Sequence, residues 1–178
     1  MYVKQTIHWI QSMVIGLNFC PFAQREMDNN TARIEASTAT TFADGLAQFM
    51  SEIEHLQLNP GTGTTLLIFP HCFDDFFDYL DFVDLANQLL EQSGYQGVYQ
   101  LATFHPQYCF HGVAADDVTN YTNRSPYPMI HILREAMLDG AIAYYGDTET
   151  IPKNNIRRLQ ELGLAKVLSL MEQCKQST

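Results

Sequence analysis

Thr64-Thr-Leu-Leu-Ile-Phe69, closed by Gly63 and Pro70, is a continuous apolar run rich in β-formers. Such a run predicts a strand buried on both faces, and strands of that kind belong to sheets with helices on each side. The flanks agree. Upstream, Thr41 with Asp44 three residues on reads as a helix start. Phe42, Leu46, Phe49, Ile53 and Leu56 then form one stripe, which Asn59-Pro-Gly61 ends. Downstream, a helix is predicted from about Asp74 to Gln92, with Phe76, Tyr79, Leu80, Val83, Ala86 and Leu90 on one face. Further out, 33–38 and 97–104 read as strands, and His105-Pro106 stops the second. Val3, Ile7, Ile10, Val14 and Leu17 mark a helix over 2–17. Residues 106–126 show no period and read as a long loop. Pro126 and Pro128 then lead into a predicted helix over 127–142, facing the core with Met129, Ile132, Leu133 and Ala136. A last helix begins at Thr150 and Pro152, with Ile156, Leu159, Gly163, Val167, Leu170 and Cys174 as its stripe. The expected fold is α/β, a small, mostly parallel sheet of about three strands flanked by helices, in the order α-β-α-β-α-β-loop-α-α. Residues 1–178 form a single domain in this reading.

Hydrophobic residues make up 46% and charged residues 17%, a globular balance. The formal charge of −10 argues against nucleic acid and against an anionic membrane surface as partners. No apolar run reaches the ~18 residues of a membrane helix. Met1-Tyr-Val-Lys-Gln-Thr-Ile-His8 shows no charged leader before an apolar block. Cys20, Cys72, Cys109 and Cys174 are far apart, as expected of reduced thiols, so a cytoplasmic setting follows. His105, Cys109 and His111 match no zinc spacing, and the Asp74, Asp78 and Asp81 stripe lacks a calcium-loop pattern, so no metal is expected. No phosphate-loop glycine pattern, dinucleotide fingerprint or nucleophile elbow names a cofactor. Nothing excludes a homo-oligomer.

Ile34 to Asn123 contains no Lys or Arg and twelve acids. The gap ends at Arg124, inside Thr119-Asn-Tyr-Thr-Asn-Arg-Ser-Pro-Tyr-Pro128. A lone cation in a polar loop, just before an expected helix N-terminus, points to an anion site. Parallel strands would bring their carboxyl ends, with His71 and His105, to one rim, where α/β sheets bind ligands. The catalytic candidates are therefore His105, with Asp117 orienting it, and His131, paired with Glu135 at i,i+4. The ligand-binding candidates are Arg124, Ser125, Asn120, Asn123, Tyr121 and Tyr127. A bland reading stands beside this one: strand-end histidines tie loops, and Asn side chains bond backbone.

Two resemblances follow from motifs. Cys20-Pro-Phe-Ala-Gln-Arg25 resembles the active-site segment of omega-class glutathione transferases, where a strand precedes the cysteine and a helix follows it. Here a helix is expected before it, and nothing else matches. Gly16-Leu-Asn-Phe-Cys-Pro-Phe-Ala23, Thr103-Phe-His-Pro106, Asp117-Val-Thr-Asn-Tyr-Thr-Asn-Arg-Ser-Pro-Tyr-Pro128 and His131-Ile-Leu-Arg-Glu135 resemble the bacterial domain-of-unknown-function 1415 family. That resemblance implies one cytoplasmic domain. The family carries no assigned activity, so no catalytic residue transfers.

Three functions compete on this sequence. The first is a domain that binds or processes a small anionic metabolite at the carboxyl rim. The second is a non-catalytic interaction domain in which 106–128 is a structural clasp and Phe77 and Phe82 form an association patch. The third is a thiol redox protein using Cys20.

Overall fold

The computed structural model describes residues 1–138, 140 and 148–176. Within them, a four-stranded sheet runs in the order β1-β2-β4-β3. The strands are β1 (Ala32–Ala36), β2 (Thr64–Ile68), β3 (Tyr99–Phe104) and β4 (Met129–Arg134). All five residues of β2 are buried, as a doubly covered strand requires. Side chains alternate across it. Leu67 and Phe69 meet one layer, Leu66 and Ile68 the other.

The first layer is α3 (Phe42–Leu58) and α4 (Phe76–Gln92). Thr41 caps α3 by accepting from the Asp44 N–H at 3.2 Å, and Asp75 caps α4 by accepting from Phe77 and Asp78 N–H groups. Phe49, Ile53, Leu56, Tyr79, Phe82 and Ala86, all fully buried, pack on Leu67, Ile130 and Ile132. Phe82 is thus core, while Phe77 remains 75% exposed. At the free edge, Arg33 of β1 donates to buried Glu52 of α3 through Nε (2.8 Å) and Nη2 (3.1 Å).

The second layer is α1 (Tyr2–Trp9), a π-helical stretch Ile10–Ile15, α2 (Ala23–Asp28), α5 (Thr150–Leu162) and α6 (Leu164–Gln176). Trp9, Met13, Leu159 and Val167 pack on Leu66, Ile68 and Met129. No helix of the described residues is long and apolar enough to cross a membrane.

The expectation of a mostly parallel, three-stranded sheet fails at residues 127–142. Met129–Arg134 is a strand, antiparallel to both β2 and β3, and only β1 with β2 is parallel. The sheet is mixed and mostly antiparallel. A strand buried on both faces has no polar side, so Met129, Ile132, Leu133 and Ala136 mimicked a helical stripe by accident. Helix begins only at 135; positions 139, 141 and 142 of the expected helix lie outside the described residues. The C-terminal helix is also two helices, broken at Gly163, whose φ of +75° suits glycine alone. The helix expected over 2–17 is α1 continued by the π stretch.

β3 runs antiparallel to β4, which runs antiparallel to β2. β1, β2 and β3 therefore point the same way, and their carboxyl ends do share one rim.

Ile130 tests the assignment. It is fully buried against α3 and α4, yet lies off the stripe a helix would bury. Ile130→Ala should cost about 2–5 kcal/mol by urea unfolding. A helical 127–142 would lose much less.

Candidate functional site

The rim loop, 105–128, contains nearly all the residues the sequence nominated. Most of these nominated groups bond within the loop or to chain that adjoins it. His105 is fully buried; Nε2 donates to the Phe73 carbonyl at 2.8 Å, and Nδ1 accepts from the Gln107 N–H at 3.0 Å. Burial lowers its pKa, so the ring is neutral. Asp117 does not reach it. Asp117 caps the 3₁₀ turn Val118–Thr122, accepting from the Thr119 N–H (2.8 Å) and hydroxyl (2.7 Å), and these bonds lower its pKa. Asn120, fully buried, accepts from the Phe110 N–H at 3.0 Å and donates to the Ala114 carbonyl at 2.8 Å. Asn123 donates to the Thr103 carbonyl, and buried Ser125 to the Tyr127 carbonyl. The Tyr127 hydroxyl donates to Gln5 of α1. Arg124 donates from Nε to the Tyr108 carbonyl (3.0 Å) and from Nη2 to the Ala115 carbonyl (2.6 Å), with its guanidinium 4.7 Å over the Tyr121 ring. The helix N-terminus expected beyond Arg124 is the start of β4. His71 sits at the same rim but packs edge-on to Tyr2, while His105 lies between Phe76 and Tyr79.

His131 lies elsewhere. On β4 it faces the second layer, paired with Leu66 of β2 and Ala102 of β3. The i,i+4 pairing with Glu135 does not arise, because residue 131 is in a strand. His131 instead lines a cavity of about 240 Å³ between the sheet and the N-terminal segment. The floor is Ala32, Ile34, Leu66, Ala102 and Phe104, and the opposite wall is Trp9, Ile10, Val14, Phe22, Ala23 and Met27. Small side chains at 32 and 102 make the room. Gly63 lets the edge close in, since a Cβ there would fall 2.7 Å from Glu26 Oε2. Ile10 and Val14 belong to the π-helical stretch, a geometry that often marks functional sites.

Few polar groups reach this cavity. The Thr64 hydroxyl donates to the Ile132 carbonyl at 2.6 Å, so it can only accept from His131 Nε2, also at 2.6 Å. This fixes the Nε2–H tautomer. No described residue bonds Nδ1. Burial pushes the His131 pKa down to about 4, so the ring is uncharged at neutral pH. The Phe22 and Ala23 N–H groups near the Cys20 thiol favour its thiolate, but burial outweighs them and raises the thiol pKa. A π-helical stretch precedes this cysteine and α2 follows it, so a helix does follow as in omega-class transferases, with no strand before it. Glu26 accepts from the Thr31 hydroxyl. Arg134 lines one end but donates to the Thr62 and Leu56 carbonyls. The Trp9 indole N–H is buried without a partner among the described residues.

A family model described as a protein of unknown function, DUF1415, matches residues 1–169. The chain belongs to that family. No curated protein and no solved structure matches it. In this DUF1415 member, sequence reasoning named His131 but placed it on the wrong element. It missed Trp9, Glu26 and Ala102 as cavity residues. The signals available were an alanine at an inward strand position and the chain's single tryptophan on an amphipathic helix.

Asn120→Ala takes the acceptor from the Phe110 N–H and one of two donors from the Ala114 carbonyl, and should cost about 1–3 kcal/mol in urea unfolding. Unchanged stability would show that the loop is not held by its own bonds.

Between pH 6.5 and 4 the unfolded imidazole of residue 131 takes a proton that the folded one refuses. Stability should fall as pH drops through that window, by roughly 3 kcal/mol. His105, also lowered, adds in the same direction. Unfolding midpoints from pH 7 to 4.5 should vary less steeply in His131→Gln.

Proposed function

We propose that this protein binds a small, mostly apolar molecule in the cavity between the sheet and the α1–α2 segment. The observation that carries the reading is the lining: a space of about 240 Å³ walled by aromatic and aliphatic side chains. Water gains little there, because an ordered water needs two to four polar partners. An apolar guest displaces it at a gain. Cys20, Phe22, Met27, Ala102 and Phe104 stay only half-buried, which leaves apolar surface for a guest to cover. An engineered cavity of ~150 Å³ holds benzene, so this one suits roughly ten non-hydrogen atoms.

A small anion at the rim has less support. Asn120, Asn123, Ser125 and Arg124 already bond groups of their own loop and the adjoining strand. Those same bonds favour the structural-clasp reading of 106–128. A thiol redox role for Cys20 is weakened by its raised pKa. Charge also argues against an anion in the cavity, where among the described residues no guanidinium or ammonium is left unbonded.

Ala102→Phe tests the reading, because the new ring would occupy the floor opposite Trp9. Naphthalene, with ten carbons, should give saturation-transfer NMR signals with the wild-type protein and lose them with the variant. Equal signals from both proteins would place binding elsewhere.

A further inference from the structure

We propose that His131 makes the cavity selective for uncharged molecules that carry a hydrogen-bond donor, such as a phenol or an alcohol, with the donor bonded to Nδ1. The inference rests on the cavity-binding reading and adds what the ligand must be.

The argument is one of remaining capacity. The Thr64 hydroxyl has a single proton, and the Ile132 carbonyl takes it. Thr64 therefore holds His131 by accepting from Nε2–H, and the ring cannot adopt the other tautomer without losing that bond. Nδ1 is left as an acceptor with no described partner, on a residue that lines the cavity. Nδ1 is not sealed from solvent, so a guest that displaces water from it must supply a donor or leave the acceptor bare. The other polar groups agree. The Glu26 carboxylate also accepts, the Trp9 N–H is buried, Arg134 donates to carbonyls, and the Cys20 S–H is only a weak donor. The cavity therefore offers stronger acceptors than free donors. A ligand whose only polar atom accepts, such as an ether or ketone, would face Nδ1 lone pair to lone pair. The low pKa of the ring supports this, because a protonated imidazole would donate from both nitrogens and reverse the preference.

The probes are 4-propylphenol and 4-propyltoluene, which match in size and differ by hydroxyl against methyl. Both have ten heavy atoms, the size estimated for the cavity. Each is titrated into the full chain, wild type and His131→Phe, by ligand-observed NMR. The ratio of the toluene Kd to the phenol Kd should fall about tenfold or more in the variant, because the phenol hydroxyl then enters without a partner. In parallel, imidazole ¹⁵N spectra of the wild-type protein should show the His131 Nδ1 resonance shifting with 4-propylphenol and staying in place with 4-propyltoluene. That measurement stands even where His131→Phe does not fold. If both probes bind, the ratio is unchanged and Nδ1 does not move, donor selection is overturned while the cavity reading survives. If neither probe binds, the cavity reading fails and takes the inference with it.

Discussion

β4 occupies the middle of the sheet, antiparallel to a neighbour on each side, and the other parts arrange themselves around that constraint. A central strand must satisfy backbone groups at both edges and bury side chains on both faces. Ile130 and Ile132 fill the layer under α3 and α4, while Met129 and His131 face α1 and its π-helical extension. Pairing continues past the strand itself, where the Phe69 N–H donates to the Pro128 carbonyl at 2.8 Å. At the same rim, the buried Tyr79 hydroxyl donates to the Met129 carbonyl and accepts from the Phe104 N–H.

The rim loop follows from this topology. β3 and β4 are neighbours and antiparallel, so a tight turn would suffice to join them. The chain instead spends 105–128 on the connection. Long connections need internal bonds to offset the entropy of ordering them. Asn120, Asn123, Arg124, Asp117 and His105 supply those bonds, mostly to backbone. The motif-rich Asn-Tyr-Thr-Asn-Arg run is thus explained by loop closure. The Tyr127–Gln5 bond then ties the loop to α1, one wall of the cavity. Clasp and cavity share that helix.

On the opposite side of β4, a polar residue was placed where an apolar one would pack more simply. His131 is satisfied at one nitrogen by Thr64 and open at the other. The neighbouring floor positions, Ala32 and Ala102, leave volume that larger side chains would fill. An unfilled space beside an imidazole open at one nitrogen costs stability relative to a packed apolar site.

Local patterns carried much of the architecture. The stripes of α3 and α4, the cap at Thr41, the doubly buried β2 and the strand that ends at His105 were legible because each depends on neighbours within a few turns of chain. β1, β2 and β3 do share a rim, but through the antiparallel β4 between β2 and β3, not through the mostly parallel sheet expected. Residues 127–134 were not legible, because an all-apolar stretch lacks a period and only its partners decide between helix and strand. Once β2 and β3 flank it, extended backbone satisfies all its hydrogen bonds, and Pro128 sets its start. The site was lost with it: histidine and arginine in a proline-marked loop look alike whether they wait for a ligand or bond a carbonyl. By itself, the sequence determined the composition of the core, the helices around β2 and the net negative charge. Tertiary structure alone decided which polar groups were used up and which stayed open, because hydrogen-bond capacity is spent between residues as distant as Thr64 and His131.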